Sequence, residues 1–260
     1  MPRSGMPSAL RTILSRIARC GPLHKAYLAL WKRRQIAALA RQGEFAKAPP
    51  SAEEVGRLLR EWEGQGRPVP PPAVYKQDTL RAYGRRFGLA VFIETGTYFG
   101  DTVRAVKDQF RRLYSVELST DLARLARARF RGDPHITILR GDSETVLPGI
   151  LAGVQEPCLF WLDGHYSEGV TALGRHATPI LTELETIFAH PVKGHVILID
   201  DARLFGQEKG YPTLEEMHRL AARSRPDLGF EVEDDIIRLF PLPVPLREGG
   251  TSAGGPRTEN

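Results

Sequence analysis

Hydrophobic residues cluster unevenly along the chain. Between about residue 88 and residue 240 they form short, near-continuous apolar runs, each followed by a stretch with helical spacing. The runs LAVFIETG, RLYSVELS, HITILRGDS, PCLFWLDGHYS and HVILIDDARLF read as strands. The stretches DTVRAVKDQF, TDLARLARARF, SETVLPGILAGV, TPILTELETIFAH and TLEEMHRLAARSR read as helices. Strands that are apolar on both faces and alternate with amphipathic helices predict a parallel sheet covered on both sides. FEVEDDIIRLF reads as two strands that turn at residues 233–235 and close the sheet edge. The predicted class is therefore α/β: a Rossmann-like, doubly wound, mostly parallel sheet with a closing antiparallel strand pair, plus an N-terminal helical arm.

The arm has its own pattern. Leu10, Ile13, Leu14 and Ile17 recur at helical spacing, with Arg11, Arg16 and Arg19 on the other face, until Gly21 and Pro22 stop the helix. A second helix is predicted over AYLALWKRRQIAALA. A third starts at Ser51, where Glu54 fits a capping box, and presents Val55, Leu58, Leu59 and Trp62 on one face. GQGRPVPPPAV follows as a stiff linker. The expected division is a basic helical arm over 1–66, a proline-rich linker over 67–75, a catalytic domain over 76–246 and a disordered tail over 247–260.

Charge sharpens this division. Residues 1–50 hold ten Lys or Arg against one acid, a net of +9, whereas the remaining residues hold 26 basic and 30 acidic side chains, a net of −4. The high isoelectric point thus belongs to the arm. It would adsorb to an anionic membrane surface through residues 1–42, dock on an acidic partner, or pack on the main domain with its basic face solvated. The main domain shows no interleaving of aromatic and basic residues, so no nucleic-acid partner is expected. Cys20 and Cys158 form no metal-binding or disulfide pattern, and no apolar stretch is long enough to span a bilayer. The expected location is cytoplasmic, with peripheral contact at the inner membrane surface if the arm adsorbs. Oligomeric state leaves no signature in the sequence.

The strand tips carry the chemistry. Ligands of open α/β sheets sit beyond the carboxyl ends of the strands. Here each predicted strand ends in a carboxylate: Glu94, Glu117, Asp142, Asp163, and the pair Asp200 and Asp201. A dinucleotide fits poorly. Its fingerprint needs a second glycine where this chain has Tyr98, and Glu94 would face a doubly anionic pyrophosphate. S-adenosylmethionine fits better, because it carries an ammonium, a sulfonium, a ribose diol and an adenine amine but no phosphate. Glu94 would face the ammonium, Glu117 the ribose hydroxyls, and Asp142 with Ser143 the adenine amine. Gly96 would allow close backbone approach, and Gly100 would let the helix pack close to the strand. Thr97, Tyr98, Asp101, Thr102, Leu118, Ser119 and Asp163 complete the expected cofactor lining.

The spacing Glu94-x-Gly96-xxx-Gly100, a second-strand glutamate and the run GDS resemble class I S-adenosylmethionine-dependent methyltransferases over about residues 74–240. More narrowly, VFIETGTYFGDTV, YSVELS, FWLDGHYSEGVTA and HVILIDDARLF are similar to a bacterial branch near the macrocin O-methyltransferase-like enzymes. That resemblance implies methylation of sugar or natural-product hydroxyls with Mg²⁺. It places the metal on Asp163, Asp200 and Asp201, three carboxylates expected to converge without a Lys or Arg nearby; the alternative is that Asp200 or Asp201 caps the next helix or pairs with Arg203. His165 and Asp163 are the candidate catalytic residues, with His165 as base. Tyr166, Ser167 and Thr171 would shape the pocket for a small-molecule or glycan acceptor. Three rival readings are a non-catalytic module that kept the cofactor fold, an NAD-linked sugar oxidoreductase, and a nucleic-acid methyltransferase docked by the arm.

Overall fold

A computed structural model describes residues 30–31, 33–39, 48–163 and 178–243. A single seven-stranded sheet has the order β3-β2-β1-β4-β5-β7-β6. Its strands are β1 (Val91–Thr95), β2 (Arg112–Glu117), β3 (Ile136–Arg140), β4 (Cys158–Leu162), β5 (Val196–Ile199), β6 (Leu228–Glu233) and β7 (Ile236–Pro241). The first five are parallel, and β7 pairs antiparallel with both β5 and β6. Strand order reverses between β1 and β4, which is where such sheets open a crevice for ligands.

Helices α1 (Ala52–Gly64), α2 (Ala73–Arg86), α3 (Asp101–Val106), α4 (Thr120–Arg129), α5 (Ser143–Leu151), α6 (Ile180–Ala189) and α7 (Leu214–Ser224) surround the sheet. Central strands β1, β4 and β5 are buried along their whole length, so neither face meets water. One core joins Ile93, Phe160 and Ile197 to Leu147, Leu184 and Met217 of α5, α6 and α7. The other joins Phe92, Trp161 and Leu198 to Leu80, Val103 and Ala126 of α2, α3 and α4. The alternation of side chains along each strand separates the two cores. The turn between β6 and β7 uses Asp234 and Asp235, both at positive φ (48° and 66°), as a tight two-residue hairpin requires.

Helix α2 has no counterpart among the predicted elements. It begins directly after the proline run, with Pro72 at its N-cap, and its apolar residues Val74, Leu80 and Tyr83 are thinly spread. Ser51 does cap α1, accepting from the Glu54 N–H at 3.2 Å. Residues 30–31 and 33–39 are helical, within the predicted second helix of the arm. Ile36 is buried there against Phe99 and Leu122, and Arg33 pairs with Asp121 of α4 at 3.0 Å. This segment packs on the main domain. The predicted first helix and the tail lie outside the described residues. No helix among the described residues is long and apolar enough to cross a membrane.

Candidate active site

Register brings Glu94, Glu117 and Asp163 to one edge of the sheet. Glu94 lies beside Ser115 in the β1–β2 ladder, and the Asp163 N–H continues the β4 ladder to the Thr95 carbonyl at 3.0 Å. Glu94 is fully buried. The Ser115 hydroxyl donates to its carboxylate, Thr97 and Ser115 share a hydrogen bond of 2.6 Å, and Thr102 reaches Glu94 from α3. Burial, helped by the neighbouring Asp163 and Glu117 charges, holds Glu94 well above the usual carboxylate range despite these hydroxyls. A bound ammonium would reverse that balance.

Glu117 ends β2 in a cradle of backbone donors. The Tyr98 N–H donates to Oε2 at 2.9 Å and the Ser119 N–H to Oε1 at 2.8 Å. Tyr98 can present its N–H because it adopts the left-handed region at φ 48°. Burial raises the Glu117 pKa, and the two N–H groups oppose the rise. Ser119 also caps α4 through Leu122. Leu118 follows Glu117 on the same connection. Asp142 caps α5, accepting from the Glu144 N–H at 3.2 Å. Asp101 is engaged by Arg129 at 3.0 Å and Arg104 at 3.2 Å. Gly96 takes φ 96° and Gly100 φ 76°. At Gly100 the close approach is to Phe130 at the end of α4 rather than to the strand: a Cβ there would lie 2.7 Å from the Phe130 ring.

Asp163, Asp200 and Asp201 do converge, with carboxylate oxygens within 4.8 Å of one another. The expectation that no cation stands beside them is overturned. Lys76, from α2, places Nζ 2.6 Å from the Asp200 carboxylate and 3.3 Å from Asp201 Oδ1. Arg203 also reaches Asp201 at 2.7 Å and pairs with Asp235 of the hairpin turn. Burial and then Asp163 push Asp200 upward, against Lys76. Burial alone would lower the Lys76 pKa; the three aspartates outweigh it and leave the ammonium firmly charged. Asp201 sits at φ 57°, so the chain bends sharply after β5 and both aspartates face the cluster.

Two more side chains escaped the sequence reading. Tyr211 lies close enough to Asp201 and Asp163 that, on top of burial, their charge raises its phenol well above normal. Glu183 of α6 is 1% exposed. Burial pushes it up to about 7, although the Ser143 and Thr95 hydroxyls favour its charged form. Neither Glu183 Oε1 nor Thr95 Oγ1 completes a hydrogen bond of good geometry among the described residues. The signal was present: Ile180, Glu183, Leu184, Ile187 and Phe188 mark one apolar stripe, and Glu183 interrupts it. Lys76 gave no such signal. The expected base His165 and the expected acceptor residues Tyr166, Ser167 and Thr171 lie outside the described residues.

No protein-family model and no curated protein matches the sequence. Solved structures do. The O-methyltransferase TomG from Streptomyces achromogenes, involved in tomaymycin synthesis and solved with S-adenosylmethionine, superposes with a TM-score of 0.52 at 14% identity, covering 79% of this chain and 96% of that one. The O-methyltransferase from Bacillus cereus, solved with S-adenosylhomocysteine, gives a TM-score of 0.50 at 14% identity, covering 78% and 97%. At this identity the likeness is one of fold. The chain has the fold of the class I S-adenosylmethionine-dependent methyltransferases.

Proposed function

We propose that the protein is an S-adenosylmethionine-dependent methyltransferase that acts on a hydroxyl of a sugar, glycan or other small natural product. One observation carries this reading. The carboxylates of Glu94, Glu117, Asp142 and Asp163 stand at the C-terminal ends of β1 to β4, in a sheet whose fold is like that of two O-methyltransferases solved with the cofactor or its product. Each has a donor to meet in the cofactor: Glu94 the ammonium, Glu117 the ribose diol, Asp142 with Ser143 the adenine amine. A pyrophosphate at the tip of β1 would instead face the buried Glu94 carboxyl, which offers it no matching cation.

In this reading the methyl carbon bonds to the acceptor oxygen as its bond to sulfur breaks. S-adenosylhomocysteine leaves, and the hydroxyl proton passes to His165 or Asp163. The donor set of Asp163, Asp200 and Asp201 suits a hard divalent cation such as Mg²⁺. Bound there, it would supply charge that acidifies the acceptor hydroxyl. Lys76 holds two of these carboxylates, so it must release Asp200 for the ion to load. Without the ion, Lys76 supplies the positive charge at this end of the crevice.

Isothermal titration with S-adenosylhomocysteine, with and without Mg²⁺, and then with NADH tests the reading. Micromolar binding of S-adenosylhomocysteine and none of NADH is expected. Glu117→Ala should weaken that binding roughly tenfold or more, the scale of a lost charge-assisted hydrogen-bond pair. NADH binding in preference to S-adenosylhomocysteine would move the oxidoreductase reading ahead. Unchanged affinity in the Glu117 variant would sink the ribose assignment.

A further inference from the structure

Glu183 has no task in the chemistry above, and its placement is costly. It occupies a core position of α6 between Ile180 and Leu184, where an apolar residue would stabilise the helix packing. Its Oε1 is buried and completes no hydrogen bond of good geometry among the described residues, although the Thr95 and Ser143 hydroxyls stand near the carboxyl. Buried carboxyls in this condition are uncommon, and a ligand, an ion or an ordered water is what ordinarily completes them. Glu183 lines a half-open concavity beyond the ends of β4 and β5, with Leu162, Ile199 and Phe205 as its apolar lining and Asp200 and Tyr211 as polar neighbours. The free space takes about one water-sized group.

This concavity lies beside the aspartate cluster at the ends of β4 and β5, and the Glu183 carboxyl stands between it and the Thr95 and Ser143 hydroxyls on the cofactor side. An acceptor whose reacting oxygen sits at Asp163 and Asp200 would place a neighbouring substituent here. We propose that Glu183 is an acceptor-recognition residue, whose Oε1 takes an O–H or N–H donor of the methyl acceptor next to the reacting hydroxyl. Among the described residues the lining carries two carboxyls, Glu183 and Asp200; Lys76 offsets Asp200 from outside the lining, which leaves Glu183 as the acceptor without a cation. Substituents that donate hydrogen bonds and carry no negative charge therefore fit: a second hydroxyl, or better an ammonium. Phosphorylated or carboxylated substituents at that position do not. The inference rests on the methyltransferase reading and narrows its acceptor to a polyol or an amine-bearing ring.

The test uses the full chain saturated with S-adenosylhomocysteine, titrated with three probes on one ring: glucosamine, methyl glucoside and glucose 6-phosphate. Wild type should bind glucosamine most tightly, methyl glucoside less, and glucose 6-phosphate not at all. Glu183→Leu should weaken glucosamine at least tenfold, and by clearly more than it weakens S-adenosylhomocysteine. Glu183→Gln should weaken glucosamine but keep methyl glucoside, because the amide still accepts a hydrogen bond; if the Leu variant does not fold, the Gln variant decides. Equal probe binding by wild type and both variants overturns the inference and leaves Glu183 to an ordered water. Preference for the phosphate, or binding of none of the probes by protein that does bind S-adenosylhomocysteine, overturns it too. Failure of wild type to bind S-adenosylhomocysteine would instead remove the methyltransferase reading, and the inference with it.

Discussion

At the N-terminal ends of β4 and β5, His195 and His190 form a closed chain of hydrogen bonds. The Cys158 N–H donates to His195 Nδ1 at 3.0 Å, the two rings share a bond of 3.0 Å, and His190 Nε2 meets the Leu151 carbonyl at 3.0 Å. Those partners set the tautomers. Each ring must carry its proton on Nε2, so His195 donates to His190 and His190 donates to Leu151. At the C-terminal ends of the same two strands stand Asp163, Asp200 and Asp201, crowded and mutually repelling, with Lys76 and Arg203 as their counter-ions and Glu183 Oε1 left over. Both ends bury titratable groups. At one end burial is satisfied: His195 is driven down to about 4, by burial first, and stays neutral. At the other end burial stores charge that a ligand can discharge. Satisfied polar groups stabilise a fold, and unsatisfied ones at strand tips mark where it binds.

The comparison should break most visibly at the aspartates. Replacing Asp200 and Asp201 together by Asn should cut methyl transfer about a hundredfold or more if a metal acts there. The melting temperature should fall only modestly: Lys76 loses two carboxylate partners, but the Asp163 charge remains beside it and the repulsion among the aspartates is relieved. Turnover measured against Mg²⁺ concentration, paired with thermal unfolding, reads both effects. Retained Mg²⁺-dependent activity would remove the metal assignment. A collapse in stability would erase the distinction between the two ends.

His195→Ala should do the reverse. It strips partners from the Cys158 N–H and from His190 Nδ1 in a dry environment, at a cost of about 3 kcal/mol. His195 lies five residues before Asp200, roughly 16 Å along the strand, so S-adenosylhomocysteine affinity should hold. Chemical denaturation and titration calorimetry on one preparation check this. A loss of cofactor affinity as large as the loss of stability would mean that the two ends are coupled. Acid should mimic the substitution. The folded-state pKa of His195 lies below its ordinary value near 6.5, so the unfolded chain binds the extra proton first. Its contribution is complete above about pH 6.5 and fades as pH falls toward 4.

Much of this contrast was legible in the sequence. Five apolar runs ending in carboxylates gave both the sheet and the row of acids, because a strand tip is a local feature fixed by register. The turn at Asp234 and Asp235 was visible for the same reason. Lys76 was not visible. It reaches Asp200 across 124 residues from a helix hidden behind a proline run, and only tertiary packing brings the two together. Ser115 was half visible: it is a polar residue in an inward-facing strand position, but its pairing with Glu94 depends on the parallel register of β1 and β2. Glu183 was visible as a break in an apolar stripe. What it faces was not, because that depends on where α6 docks.

The smallest expected effect sharpens the comparison from the functional end. Glu183 is pushed up to about 7 in the folded protein, against an ordinary value of 4.5, mainly by burial. The folded chain therefore keeps a proton that the unfolded chain has already released. Between about pH 4.5 and 7 each rise in pH favours the unfolded state, and above 7 the contribution levels off. Over pH 6 to 8 this amounts to roughly 1 kcal/mol of lost stability from Glu183. Glu183→Gln cannot ionise and should flatten that part of the profile. His195 works in the opposite sense below pH 6.5 and so contributes at pH 6 as well; the difference between wild type and the Gln variant in denaturant midpoints at pH 6 and pH 8 isolates Glu183. If the Gln variant loses as much stability as wild type over that range, Glu183 is already ionised at pH 6, and the charge stored at this end resides in the aspartates alone.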